Sequence, residues 1–130
     1  MTLLEKTKYY YTEKNMNCAE AIILASNDIY DLGLNEDCAK LVMGFGGGLG
    51  CGKLCGSLAA CISVLGVIYG KRPDIRDICA KFTAKFNEDL KVDSIDCTPI
   101  AAKYKTAEKR CEDAVLLAAG SFEEFLKTIN

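Results

Sequence analysis

From Leu54 to Gly70 the chain runs for 17 residues without one charged side chain. Water is a poor solvent for such a stretch. A membrane span needs about 20 predominantly apolar residues, and this segment is interrupted by Gly56, Ser57, Ser63, Gly66 and Gly70. The pattern predicts a helix buried on all sides, with the rest of the molecule packed around it. Half of the 130 residues are apolar, enough for one domain over residues 1–130 to close its own core.

The flanking sequence reads as helices throughout. Thr2 and Glu5 form a capping box for a first helix reaching about Glu13. Asn17 caps a second over about 18–31, with Cys18, Ile22, Ala25 and Ile29 on one face and Gly33 beyond its end. Asn35 opens a third, with Glu36 and Asp37 in its first turn and Cys38, Leu41, Val42 and Phe45 as its inner stripe. The uncharged central helix starts near Lys53 or Leu54. Pro73 and Asp74 open a fifth, where Ile75, Ile78, Cys79, Phe82, Phe86 and Leu90 recur at helical spacing. After a turn-rich passage through Cys97 and Pro99, a sixth spans about 106–119 and buries Ala107, Cys111, Ala114, Val115 and Ala118. Gly120 ends it, and Ser121 with Glu124 starts a last short helix. No run alternates apolar with polar residues as a half-buried strand does. The expectation is an all-α, compact bundle of about five to seven helices around a buried apolar one.

Sixteen basic against 18 acidic residues give a net charge of −2. No basic face for nucleic acid or for an anionic membrane is expected. The N-terminus has no basic run followed by an apolar stretch, so a cytoplasmic protein without membrane insertion is expected.

Eight cysteines, at 18, 38, 51, 55, 61, 79, 97 and 111, stand beside a complete absence of histidine. In a cytosolic chain long enough to bury a core, such a set points to metal or redox chemistry rather than a disulfide framework. Without histidine there is no Cys/His zinc finger, no histidine-ligated haem and no serine or cysteine nucleophile activated by imidazole.

Six of the nine residues from Gly44 to Gly52 are glycine. Gly47, Gly52 and Lys53 match part of a phosphate-binding loop, but Leu54 stands where magnesium binding needs Ser or Thr, which argues against a nucleotide site. Turned glycine N–H groups next to a helix N-terminus nevertheless concentrate positive potential. Gly46, Gly47, Gly48, Gly50 and Gly52 are therefore candidate cofactor-cradling residues. Cys55, beside Lys53, is expected to ionise more easily than an ordinary thiol. Cys97 lies in an irregular passage where packing gives no reason for cysteine. Cys18 starts a helix on its apolar face, again near a positive dipole end, and taken alone reads first as a packed core thiol. Cys111, on an apolar helical stripe, reads either way. Cys38, Cys61 and Cys79 read as packing residues.

Taken together, Asn17-Cys18-Ala19-Glu20-Ala21, Gly46-Gly47-Gly48-Leu49-Gly50, Cys55-Gly56, Cys97 and Cys111 resemble the redox-active C_GCAxxG_C_C family over about residues 5–118. The resemblance implies a small helical redox protein whose four hallmark cysteines are Cys18, Cys55, Cys97 and Cys111. A similar module ending a multihaem cytochrome is associated with an iron–sulfur site. The chain departs from the family pattern at Ser57 and Ala60, where Ala and Gly are usual, and adds Cys51 as an alternative ligand.

Three readings follow. In the first, Cys18, Cys55, Cys97 and Cys111 hold a [2Fe–2S] or [4Fe–4S] cluster for electron transfer to a redox partner protein. In the second, Cys55 is the attacking, catalytic thiol of a thiol–disulfide oxidoreductase or sensor, resolved by Cys97, Cys111 or Cys51. In the third, the cysteines form a structural zinc site, or no site, in a helical interaction protein, although only Cys51 and Cys55 have zinc-like spacing. A homodimer is left open by all three.

Overall fold

A computed structural model describes residues 1–129. It contains seven α-helices and, among the described residues, no strand beyond two isolated bridges, Leu54 with Asp96 and Thr106 with Arg110. The all-α expectation holds.

α1 (Leu3–Lys8) begins on the expected capping box: the Glu5 N–H donates to the Thr2 hydroxyl at 3.1 Å, and the Thr2 N–H to the Glu5 carboxylate at 2.9 Å. It widens into a π-type turn over Tyr9–Glu13. α2 (Cys18–Tyr30) repeats the device with Asn17 and Glu20. It stops at Asp31, whose left-handed backbone (φ 51°) cannot continue a helix. Burial there runs from Ala21 to Ser26 without a break, so α2 is enclosed on more sides than the four-residue stripe suggests.

α3 is short (Cys38–Val42) and tightens to a 3₁₀ turn at Met43–Phe45. Asn35 opens a turn three residues before it, its side chain accepting from the Asp37 N–H at 2.8 Å. The expected stripe is wrong at Leu41, which is 82% exposed. The buried face is Cys38, Ala39 and Val42, and Leu41 points away from it.

α4 (Gly56–Tyr69) is the uncharged segment. It starts later than expected because Leu54 bridges Asp96 and the Cys55 N–H donates to the Ile95 carbonyl at 2.8 Å. Its first part, through Cys61 and again at Val64 and Leu65, is enclosed, whereas Val67 is 44% exposed. The helix is central over its first two and a half turns and reaches the surface at its end. No helix among the described residues is long and apolar enough to cross a membrane.

α5 (Ile75–Leu90) buries Ile78, Phe82, Phe86 and Leu90, as the spacing predicts. The Phe82 ring meets Phe122 edge-on at 5.1 Å and Phe125 at 5.3 Å.

Two expectations fail in the last third. The passage through Cys97 and Pro99 is a helix, α6 (Cys97–Tyr104). Pro99 sits in the first turn, where backbone N–H groups have no helical acceptor to lose. The second failure is the sixth helix over 106–119. Residues 106–110 form a tight turn closed by reciprocal Thr106 and Arg110 backbone hydrogen bonds of 2.9 Å, with Ala107 exposed. α7 then runs unbroken from Glu112 to Leu126. Gly120 is inside it, and Ser121 is buried rather than capping a new helix. The Phe122 and Phe125 contacts continue the apolar stripe of Ala114, Val115 and Ala118. Their burial outweighs the roughly 1 kcal/mol that an interior glycine costs a helix.

α2, α4 and α7 run in the same direction. The starts of α2 and α7 both lie near the start of α4 at one end of the molecule, and the last turns of the three line a common groove at the other.

Candidate functional site

Cys18 is the first residue of α2, Cys55 the N-cap of α4, Cys97 the first residue of α6 and Cys111 the N-cap of α7. Four helix N-termini thus carry the four hallmark cysteines, and each brings partial positive charge and free N–H groups. Each cysteine lies within electrostatic reach of at least two others. Cys18 feels Cys55 and Cys97, Cys55 feels Cys97, and Cys111 feels both Cys97 and Cys55.

Backbone pairing draws two of these ends together. The Cys97 N–H donates to the Lys53 carbonyl, Leu54 bridges Asp96, and Cys55 bonds Ile95. The Gly48 carbonyl accepts the Lys53 N–H at 2.8 Å, which ties the glycine loop to the same pairing. In that loop Gly47, Gly48, Leu49 and Gly50 have φ between 61° and 73°, a left-handed turn that L side chains resist.

The glycines are mostly points of close approach. A Cβ at Gly48 would stand 2.5 Å from the Cys97 Cβ, one at Gly56 2.7 Å from the Cys18 Sγ, and one at Gly46 2.6 Å from the Asn17 amide nitrogen. At Gly52 it would collide with the Thr98 hydroxyl. Gly47 and Gly50 have open space where a side chain would begin. Of the five candidate cradle residues, then, Gly46, Gly48 and Gly52 fit the loop against Asn17, Cys97 and Thr98.

The expectation of an easily ionised Cys55 is overturned. Cys55 is only 7% exposed, and burial pushes its thiol up. The N–H groups of Leu58 and Ser57 pull the other way but do not prevail against burial and the nearby Cys97. Cys18 is pushed up to about 12, by burial first and then by Cys55 and Cys97. Cys111 is raised by burial and Cys97, with Lys105 and Arg110 opposing. Helix ends and turned glycines favour the thiolate, but withdrawal from water outweighs them. In the metal-free protein Cys18, Cys55 and Cys111 are therefore protonated at neutral pH.

All eight cysteines are free thiols. Cys61 is fully enclosed and Cys38 nearly so, as expected of packing residues, while Cys79 is half-buried and Cys51 exposed. Among the described residues no three cysteine, aspartate or glutamate side chains are drawn together closely enough to grip one metal ion as they stand.

Two supporting residues were missed in the sequence. The buried Tyr11 hydroxyl accepts the Cys111 N–H at 3.1 Å. Arg110 lies over the Tyr11 ring at 3.9 Å and donates to the Tyr11 carbonyl at 2.7 Å. Together they hold the start of α7 against the end of the first helical segment. The tyrosine run Tyr9-Tyr10-Tyr11 gave no signal of this. Arg110 precedes Cys111 but adopts a left-handed conformation (φ 55°) that its residue type does not announce.

Four helix-end cysteines and the glycine loop are the features on which the resemblance to the redox-active family rests. The comparison with known families agrees: the model described as "Putative redox-active protein (C_GCAxxG_C_C)" matches residues 16–125. The chain belongs to this family. Neither the curated proteins nor the solved structures gave a match to it.

Proposed function

We propose that this protein is an electron carrier whose Cys18, Cys55, Cys97 and Cys111 hold an iron–sulfur cluster. The observation that carries the reading is the meeting of four helix N-termini, each bearing one cysteine, at one end of the fold. An all-sulfur donor set without histidine suits such clusters, which supply one-electron transfer. The residues fit the charge as well. Four thiolates are costly to gather, and four helix ends with loop N–H groups offset their repulsion. Cys18, Cys55 and Cys111 are protonated before loading, so each must give up its proton on ligation.

The test is anaerobic reconstitution with iron and sulfide, followed by gel filtration and counting of iron and sulfide per chain. Brown protein with visible absorption is expected. Serine at Cys18, Cys55, Cys97 or Cys111 should remove or alter the chromophore, and serine at Cys61 or Cys79 should not. Colourless protein that binds one equivalent of zinc through the same four sulfurs would replace the cluster by a zinc site. Colourless protein that cycles a Cys55 disulfide would make it a thiol–disulfide protein.

A further inference from the structure

The end of the molecule opposite the cysteines has its own chemistry. The last turns of α2, α4 and α7 surround a groove of about 620 Å³, within the range of small-molecule sites. Leu32, Val67, Ile68 and Leu126 give it apolar walls, and Tyr30 and Tyr69 add two aromatic rings. Its charged residues are Asp31, Glu123 and Lys127. The Arg72 guanidinium lies 5.4 Å from the Tyr69 ring centre but is paired with Asp74 at 2.9 Å. Each helix C-terminus carries roughly half a negative charge, and three such ends meet here. With two carboxylates against one lysine, the groove is electronegative.

The Tyr30 hydroxyl is completely covered and has no hydrogen-bond partner among the described residues. Burial, with Glu123 nearby, pushes its pKa up to about 12, so it keeps its proton. A covered polar group without a partner is costly.

We propose that this groove binds a small organic cation, an ammonium group carried on an apolar or aromatic body. The ammonium group would face the helix ends, Asp31 and Glu123, and the Tyr30 ring adds cation–π attraction, the Tyr69 ring already having the Arg72 guanidinium over it. The body would cover Val67, Ile68 and Leu126. An anion of the same shape would meet three helix C-termini. The site is independent of the cysteine reading, because the 14-residue α4 separates the two ends by about 21 Å.

Three probes that share one body and differ in charge test this: phenethylammonium, 2-phenylethanol and phenylacetate. Each is titrated into the full chain, with amide chemical shifts read by NMR. Phenethylammonium should give saturable shifts at Asp31, Leu32, Val67 to Tyr69 and Lys127. The alcohol should bind at least tenfold more weakly, and phenylacetate should give no saturable shift. Glu123→Gln keeps an acceptor for the Leu3 N–H, which Glu123 holds at 3.3 Å, and Asp31→Asn suits the left-handed backbone. Each should weaken phenethylammonium binding three- to tenfold with the melting temperature retained. Equal binding of the three probes, shifts centred elsewhere, or no saturable shift with phenethylammonium would each overturn the proposal.

Discussion

Gly47 and Gly48 share a backbone conformation but not a neighbourhood, and that difference can be measured. Both have φ near +68°, at 69° and 67°. An alanine at either pays for the left-handed conformation, about 1–2 kcal/mol. At Gly47 nothing lies within 4 Å of the added methyl group, so that is the whole cost. At Gly48 the methyl would stand 2.5 Å from the Cys97 Cβ, 2.5 Å from the Lys53 carbonyl oxygen and 2.7 Å from the Lys53 nitrogen. Two of these three atoms are backbone and the third is one bond from it, so none can swing aside. Overpacking of this kind costs a further 1–3 kcal/mol or so. Gly48→Ala should therefore destabilise the metal-free protein by about 2–5 kcal/mol and Gly47→Ala by about 1–2 kcal/mol. The assay is urea unfolding under reducing, anaerobic conditions. Midpoints should shift at constant m-value, so that the change is assignable to stability rather than to the denatured chain. If Gly48→Ala proves no worse than Gly47→Ala, the loop does not pack on Cys97, and the account of the glycines as close-approach points fails.

Further expectations concern the thiols and the last helix. The folded-state pKa of Cys18 lies above its unfolded value, so its contribution is whole below about pH 9 and is lost as pH rises toward 12; urea midpoints of metal-free protein should fall between pH 8.5 and 10, and less steeply in Cys18→Ser. Brief alkylation followed by mass mapping should label exposed Cys51 first and enclosed Cys61 last, and early labelling of Cys55 or Cys61 would contradict the burial described. Gly120→Ala should stabilise by about 1 kcal/mol in thermal or urea unfolding, because its methyl would only touch a Leu4 methyl at 3.5 Å; a loss of stability would mean that α7 breaks at this glycine.

Where local chemistry and packing agree, the sequence was easy to read. The Thr2–Glu5 capping box, the Asn17 N-cap and the 3.6-residue recurrence of Ile78, Phe82 and Phe86 each specify an element by themselves. The last third was misread because two strong local signals, Pro99 and Gly120, were overruled. Pro99 occupies the one part of a helix where it does no harm. Gly120 is held helical by Phe122 and Phe125 packing on Phe82, a contact made by residues about 40 positions earlier. Taken singly, Cys18 reads first as a core thiol and Cys111 reads either way; the four hallmark cysteines come from family resemblance. Their common placement at helix starts was out of reach once α6 had been read as a loop. The direction of the Cys55 shift was missed for a different reason. Dipoles and glycines are visible in sequence, whereas the amount of water removed from a thiol is decided by what folds over it.

The short pairing of residues 53–55 with 95–97 also bears on the order in which the molecule assembles. It joins chain positions about 40 residues apart, with all of α4 and α5 between them. Contacts between such distant positions pay their loop entropy before they return any energy. α4 and α5, which form within that loop from contacts closer in sequence, come first, and the cysteine end closes afterwards. A closure made of a few backbone hydrogen bonds reopens more readily than the middle of a packed helix. Amide hydrogens of Cys55 and Cys97 should accordingly exchange with solvent sooner than those in the middle of α2 and α4. An end that forms late would then open early, giving a bulky group a way in that leaves the core intact.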